Sequence, residues 1–277
     1  MTFQLVEPIL LIGLGGVGAR LAEKAKKSLN SDCLLISHDQ KDLTIENSIK
    51  ISTKSVVNPS THLIRGSTLE TSDEIKKNIA NYSTVILMSN LAGKAGAGIG
   101  PIVSRICKQE QKNLLSFVVM PFKFEKERIF QSGIALKRIR QDSQCTIVVD
   151  NDALLDSNPD LTQKQCYDIS NNAIESMVHS LKSSEISDNT NILSTSKTAD
   201  NIEVSLKDSL RMLYEDAPPN SIKRSMLYVY GDGNIPVGVL NTISNITGGT
   251  FDEDSTHIEM SSEESKVMML SSIQGET

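Results

Sequence analysis

Two kinds of hydrophobic pattern alternate along the first half of the chain. Short continuous apolar runs, typical of strands buried on both faces of a parallel sheet, occur at residues 8–12, 33–36, 84–89, 114–120 and 145–149. Between them, apolar residues recur at helical spacing and charged residues fill the other positions. These segments predict helices over 17–29, 71–80 and 102–112, and one that ends near Arg140. The alternation predicts an α/β fold built on a Rossmann-like parallel sheet.

The other segments have weaker patterns. Residues 44–65 suggest short edge strands, and residues 65–67 suggest a turn. Residues 183–200 are rich in Ser, Thr, Asn and Asp, which predicts a linker. Beyond the linker we predict helices from Leu206 and over 237–246, and strands over 225–230, 257–260 and 266–273. The predicted parts are a first domain over 1–182, a linker over 183–200 and a small α+β second domain over 201–277.

Two glycine-rich turns follow predicted strands. The first covers residues 13–18, and the second covers residues 90–101 with glycines at 93, 96, 98 and 100. Glycines leave backbone N–H groups uncovered, and a following helix adds its positive N-terminal end. Both turns therefore favour an anion, most simply a phosphate chain. The first turn, with Asp39 after the next strand, also matches the dinucleotide fingerprint, so this segment alone leaves NAD and a nucleoside triphosphate equally open.

Composition narrows the classes of function. The chain has 277 residues, 39% hydrophobic residues and a net charge of −6, with no basic patch, so nucleic-acid binding is not expected. The four cysteines are far apart, which predicts reduced thiols and no metal site. Neither a membrane-length apolar run nor a basic leader occurs, so we expect a cytoplasmic protein without direct membrane insertion.

Five segments carry, in order, a resemblance to a known family. They are the turn at 13–18, residues 37–43 (similar to Asn-Thr-Asp-Ala-Gln-x-Leu), residues 92–98 (similar to Gly-Gly-Gly-Thr-Gly-Thr-Gly), residues 120–125 (similar to Lys-Pro-Phe-x-Phe-Glu-Gly) and residues 150–155 (similar to Pro-Asn-Asp-Lys-Leu-Leu). The chain resembles the tubulin/FtsZ superfamily, and FtsZ more than eukaryotic tubulin. The resemblance implies a nucleotide-binding domain that includes a long central helix over 161–181, followed by a shortened α+β second domain.

The resemblance also implies a site for GTP or GDP, with Mg²⁺ left open as a companion ion. It puts Gly15, Gly16, Gly18, Gly93, Lys94, Gly96 and Gly98 near the phosphates. It puts Asp39 near the nucleoside, and Glu125 and Arg128 near the ribose. It puts Tyr167 where an aromatic ring stacks on the guanine base. It puts Asn171 where an amide, which offers a donor and an acceptor, binds the edge of the base.

Departures from the family motifs concern the phosphates and hydrolysis. Ala95 and Ala97 replace threonines, and each lost hydroxyl bond is worth roughly 1–3 kcal/mol. Lys94 replaces a glycine and either supplies a cation to the phosphates or points into solvent. The best match to the family's catalytic Asn-x-Asp-x-x-Asp loop is residues 201–206. Glu203 keeps one carboxylate and Asp208 is displaced by two residues, so we predict slow or absent GTP hydrolysis.

Three functions follow from these patterns, and whether the chain is an enzyme stays open. The first is a cytoskeletal protein that binds a guanine nucleotide and assembles head to tail into filaments. Another FtsZ or tubulin homologue is left open as a partner. The second is a non-hydrolysing FtsZ-like scaffold or regulatory protein that binds nucleotide weakly or not at all. The third, and most distant, is a dinucleotide-dependent oxidoreductase.

Overall fold

A computed structural model describes residues 2–54, 57–183, 186–197, 202–231, 253–260 and 266–273. The chain divides into two compact units. The first comprises Met1–Ile147 and Ile174–Asn189, and the second comprises Val148–Ala173 and Thr190–Thr277. The predicted parts over 1–182, 183–200 and 201–277 place residues 148–173 in the first domain instead. The predicted boundaries at 182 and 200 stay predictions of where the functional domains end.

The first unit is built on a parallel sheet. After the short β1 (Thr2–Phe3), its strands are β2 (Ile9–Leu14), β3 (Asp32–Ser37), β4 (Ser48–Lys50), β5 (Thr84–Asn90) and β6 (Asn113–Met120). They lie in the order β6-β5-β2-β3-β4, with parallel pairing between neighbours. Every residue of β2 and β5 is buried, as their continuous apolar runs predict.

Helices connect these strands. They are α1 (Gly15–Leu29), α2 (Thr61–Glu70), α3 (Ser72–Ile79), α4 (Lys94–Gln109) and α5 (Lys126–Asp142). The core of the unit joins strand residues such as Ile12 and Leu87 to Ile99 and Val103 of α4, all of them buried. Parallel strands need crossover connections, and these helices supply them. Helix α1 begins directly after β2, and α4 begins four residues after β5.

The second half of the chain continues with β7 (Cys145–Asp150), α6 (Asn151–Ser157), α7 (Gln163–Ser180), β8 (Ile186–Ser187), β9 (Asn189–Thr195), α8 (Ile202–Asp216), β10 (Ile222–Gly231), β11 (Glu253–Met260) and β12 (Lys266–Ile273). In the second unit the strands lie in the order β11-β10-β12-β9, and β10 is parallel to β11 and antiparallel to β12. The α/β class predicted from the sequence is confirmed, and the second unit has the expected α+β character.

Four local predictions are corrected. The segment 61–67 is helix α2, because Ser60 caps it by accepting from the N–H of Leu63. The turn at 90–101 is shorter, since α4 begins at Lys94. Residues 189–195 form β9 and are not a linker, because they pair with β12. Helix α6 was missed altogether. The predicted helix over 237–246 lies outside the described residues.

Candidate phosphate-binding site

Two helix N-termini lie at one edge of the first unit's sheet. Strands β2 and β5 are parallel neighbours with Leu14 opposite Ser89, so α1 and α4 begin at the same edge. Their N-cap residues are Leu14 and Gly93, and no described side chain caps either helix. Neither first turn contains an acidic residue. Both helices therefore present free N–H groups and a positive dipole end, which is the usual backbone site for an anion.

The first turns of the two helices approach each other closely. A Cβ atom added to Gly15 would lie 2.8 Å from Cβ of Ala95. Gly15 also has φ of 63°, in the left-handed region that other residues rarely adopt. Position 15 therefore requires glycine for two reasons, and the two N-termini form a single cradle.

Hydrogen bonding identifies the free donors of α4. The N–H of Ala97 donates to the carbonyl of Gly93 at 3.1 Å, which makes it the first bond of the helix. The N–H groups of Lys94, Ala95 and Gly96 precede this bond and have no acceptor within the helix. These three residues, rather than the glycines of the loop as a whole, supply the backbone donors expected for a phosphate.

Two glycines predicted near the phosphates lie further along their helices. Gly18 and Gly98 lie beyond the free first turns of α1 and α4, so their N–H groups belong to the helical ladders. A Cβ atom on Gly18 would collide with the carbonyl oxygen of Met88, and one on Gly98 would lie 2.9 Å from Cγ2 of Ile64. These two glycines are explained by helix packing.

Lys94 has a specific partner. Its Nζ donates to Oδ1 of Asn58 at 2.7 Å. The two alternatives in the sequence were a cation for the phosphates and a side chain pointing into solvent. The amine is exposed yet held at the start of α4 by Asn58, so a positive charge stands at the rim of the cradle.

The turn after β3 supplies polar groups to the same edge. Asp39 is exposed, and its Oδ1 accepts from the N–H of Lys41 at 3.0 Å, which caps a 3-10 helix over Gln40–Asp42. Burial lowers the pKa of His38 below its ordinary value, and the nearby Lys94 acts in the same direction, whereas Asp39 and Asp42 oppose the shift. The lowered pKa favours the neutral imidazole.

Asp42 is a site residue that sequence reasoning missed. Its Oδ1 lies 2.7 Å from the position of a Cβ atom on Gly16, and its Oδ2 accepts from Oγ of Ser37 at 2.6 Å. A carboxylate thus lies against the first turn of α1. The family motif leaves this position variable, so only the acidic character of the turn over 39–42 could have indicated it.

Comparison with known proteins decides the family. A family model described as Tubulin/FtsZ family, GTPase domain, matches residues 8–159, which is more than half of the chain. The chain belongs to the Tubulin/FtsZ family. Its resemblance to this family, predicted from five motifs, is confirmed.

Individual relatives are distant. Cell division protein FtsZ 2 of Halobacterium salinarum is 26% identical over 184 residues, which are 61% of this chain and 46% of that protein. Cell division protein FtsZ of Haloferax mediterranei is 31% identical over 107 residues, 38% of this chain and 28% of that protein. In its matches to the two Halobacterium salinarum FtsZ proteins, the chain spans about half of their length.

Solved structures of the family share the fold. An empty FtsZ dimer from M. jannaschii aligns with a TM-score of 0.73 at 17% identity, covering 97% of this chain and 88% of that one. A GTPγS-bound protofilament of CetZ2 from Haloferax volcanii aligns with a TM-score of 0.66 at 14% identity, covering 96% and 93%. At these identities the alignments establish the fold.

The predicted ribose pair is brought together in the first unit. Nη1 of Arg128 lies 2.5 Å from Oε1 of Glu125, and the N–H of Phe122 donates to Oε2 of Glu125 at 3.3 Å. The Glu125 side chain is 10% exposed and that of Arg128 is 59% exposed. The guanidinium therefore has free donors at the surface, and the ribose contact of this FtsZ-like pair stays a prediction.

The predicted base contacts lie in the second unit. Tyr167 and Asn171 are one turn apart on α7, so they share a face of the helix. Tyr167 is half-buried. Oδ1 of Asn171 is buried, and it has no hydrogen-bond partner among the residues that the structure describes. A buried acceptor without a donor is uncommon in native proteins, so this amide is a candidate for contact with a ligand.

The segment predicted to carry the catalytic carboxylates is helical. Residues 202–206 begin helix α8, so Glu203 lies in its first turn and Asp208 in its second. Ile202, Leu206 and Leu210 recur at helical spacing and are buried, and this apolar stripe explains why the segment is helical. Both carboxylates thus project from a regular helix, and their catalytic role stays a prediction.

The described residues offer neither a metal-binding cluster nor a membrane-spanning helix. The described part of the chain holds no group of three or more His, Cys, Asp or Glu residues placed to bind a metal ion. Among the same residues, no helix is both long and apolar enough to cross a membrane.

Proposed function

We propose that this chain binds a guanine nucleotide, with the phosphates at the N-termini of α1 and α4. The observation that carries the proposal is the contact between two uncapped first turns at one edge of a parallel sheet. A phosphate chain needs clustered N–H donors and a positive field, and the backbone of Gly15, Gly16 and residues 94–96 fits both needs. The GTPase-domain family supports a guanine nucleotide over NAD.

Asn171 is our candidate for reading the base. An amide oxygen buried without a donor costs free energy, and a ligand N–H can restore the missing bond. The Watson–Crick edge of guanine carries N–H donors, whereas adenine presents an acceptor at the corresponding ring nitrogen. This chemistry supports a preference for GDP and GTP over ADP and ATP, with Tyr167 stacking on the base.

We further propose head-to-tail self-association into filaments. A heterologous contact that repeats without closing builds an open filament. The family relationship supports this, and two structures of similar fold are described as a dimer and a protofilament of their own proteins. The sequence leaves a second FtsZ or tubulin homologue open as an alternative partner.

Hydrolysis should be slow or absent. Glu203 and Asp208 lie on a helix and not on a loop, and Ala95 and Ala97 offer no hydroxyl to the phosphates. A catalytic group displaced by about 1 Å can cost on the order of a hundredfold in rate. We therefore expect phosphate release to be about a hundredfold slower than in an FtsZ that turns over GTP.

Identification of the bound nucleotide tests this function. The purified full chain is denatured, and the released small molecules are separated by chromatography. GDP or GTP at near one equivalent supports the proposal, and NAD would contradict it. If nothing is released and added GDP does not bind, the FtsZ-like scaffold becomes the better account; the missing hydroxyls at Ala95 and Ala97 are the observation in its favour.

Sedimentation tests assembly separately. We expect the full chain to pellet with GTP and to show filaments by electron microscopy, while the same protein with GDP stays in the supernatant. Repeating the assay with EDTA checks whether Mg²⁺ accompanies the nucleotide. Saturable GTP binding without any pellet would contradict filament formation by the chain alone.

A further inference from the structure

The carboxylate of Asp42 is held in a fixed position. Ser37 is fully buried at the end of β3, and its Oγ accepts from the N–H of Asp39 at 3.1 Å. The same hydroxyl donates to Oδ2 of Asp42 at 2.6 Å. Because one hydroxyl links the backbone of the turn to the carboxylate, Asp42 is not a freely rotating surface acid.

The other carboxylate oxygen faces the candidate phosphate site. Oδ1 of Asp42 lies 2.7 Å from the position of a Cβ atom on Gly16, and Oδ2 lies 3.9 Å from the corresponding position on Gly15. Any side chain at position 16 would meet this oxygen. The charge therefore lies directly beside the first turn of α1, whose N–H groups are the proposed phosphate donors.

The negative charge of Asp42 beside this turn opposes phosphate binding. The N-terminus of a helix carries roughly half a positive charge, and a full negative charge beside it more than offsets that field locally. Arg20 is a nearby cation, with Nη1 3.7 Å from the Cβ position on Gly16, but Arg20 is exposed, so water screens its charge. Charges interact over about 8–10 Å at ordinary ionic strength, so the carboxylate is within range of any phosphate on the turn.

We propose that Asp42 sets the affinity of the site for phosphates by competing electrostatically with them. This inference rests on the proposed nucleotide site and adds one residue to it. The carboxylate weakens the binding of GDP and GTP and leaves the contribution of the base and ribose unchanged. Loss of its charge converts the turn of α1 into a stronger anion site.

Calorimetric titration of Asp42→Asn tests the proposal. The amide is isosteric and can still accept the bond from Ser37, so the turn keeps its shape. Wild-type and variant full chains, freed of nucleotide, are titrated with GDP, GTP and guanosine at low and high salt. We expect Asp42→Asn to bind GDP and GTP about tenfold more tightly at low salt and guanosine equally, with the gap shrinking as salt rises.

Glu46→Gln is the matched control, because it removes one exposed carboxylate from the same segment, four residues further along. We expect it to change GDP affinity less than about twofold, as isolated surface charges usually do. Equal or weaker GDP binding by Asp42→Asn would overturn the assignment of Asp42 alone. Failure of every protein to bind GDP and GTP would overturn the proposed nucleotide site, and this inference with it.

Discussion

At the scale of residues, the glycines of the two turns serve different purposes. Gly15 has a left-handed backbone and lies against Ala95, so it belongs to the cradle. Gly18 and Gly96 leave room for the backbone carbonyls of Met88 and Asn90 on β5, although Gly96 also offers its N–H to the cradle. The sequence indicates where such turns lie because glycine clusters are visible in it. It cannot separate contact with a ligand from close packing, since both require the absence of a Cβ atom.

A pair of glycine substitutions tests this distinction. Gly96→Ala places a Cβ atom 2.7 Å from Oγ of Ser89 and against the carbonyl of Asn90, so we expect a loss of about 1–3 kcal/mol in unfolding free energy. Gly66→Ala, in the middle of α2 with nothing within 4 Å, should gain about 0.5–1 kcal/mol. Urea denaturation without nucleotide measures both, and equal effects would contradict the packing explanation.

A pair of asparagine substitutions tests recognition of the base. Asn171→Ala removes the buried, unpartnered amide oxygen, and we expect GDP to bind about tenfold more weakly because one hydrogen bond is lost. Asn172→Ala is the matched control, since Asn172 is the exposed neighbour on the same helix. Its GDP affinity should stay within about twofold of wild type. If both variants bind GDP as wild type does, Asn171 does not read guanine.

At the scale of elements, the sequence predicts a helix or strand correctly where the spacing of its apolar residues indicates one. The continuous apolar runs of β2 and β5 identify strands whose neighbours bury both faces. Strand β9 escaped prediction because its polar residues, such as Asn191 and Ser194, are buried by pairing with β12, a partner far along the chain. The helical setting of Glu203 was missed for a related reason: motif matching favoured a loop where the apolar spacing of α8 favours a helix.

The connection between β7 and α6 should make stability depend on pH. Burial raises the pKa of Asp150 above its ordinary 3.8, and the charge of Asp152 adds to the shift, although the backbone N–H of Asp152 and a side-chain hydrogen bond with Asp216 partly oppose it. The folded chain then holds a proton that the unfolded chain has released. Stability should therefore fall as pH rises from the ordinary value through the raised one, by at most about 1.4 kcal/mol per pH unit.

Urea unfolding at several pH values checks this dependence. Asp150→Asn can keep the cap on α6, in which Oδ1 accepts from the N–H of Asp152 at 2.8 Å, and should lose the fall in stability that begins near the ordinary pKa of about 4. Asp160→Asn removes an exposed carboxylate near the end of α6 and should follow the wild-type curve. A variant at position 150 with the wild-type slope would contradict the burial argument.

At the scale of the whole molecule, the chain is a Tubulin/FtsZ family member whose site departs from the family motifs at the phosphates. Five short motifs predicted the family and the fold class, because backbone turns of this kind tolerate few alternatives. The motifs could not predict how Ala95, Lys94 and Asp42 affect nucleotide use. These effects depend on which groups face the cradle, and that is a property of tertiary contacts.

Slow turnover is the prediction that belongs to this scale. Because Glu203 and Asp208 lie on α8, assembled protein should release phosphate about a hundredfold more slowly than an FtsZ that hydrolyses GTP in its filaments. A phosphate-release assay on pelleted protein measures this rate. Glu203→Gln should leave the slow rate unchanged, and turnover comparable to that FtsZ would refute the prediction.

Competitive titration of the nucleotide-free full chain with GDP and ADP tests the central claim most directly. The proposed site predicts a single class of GDP sites, and ADP binding at least about tenfold weaker, because the guanine edge supplies donors to a buried acceptor that adenine cannot satisfy. Equal affinity for the two nucleotides, or binding of neither, would contradict the account.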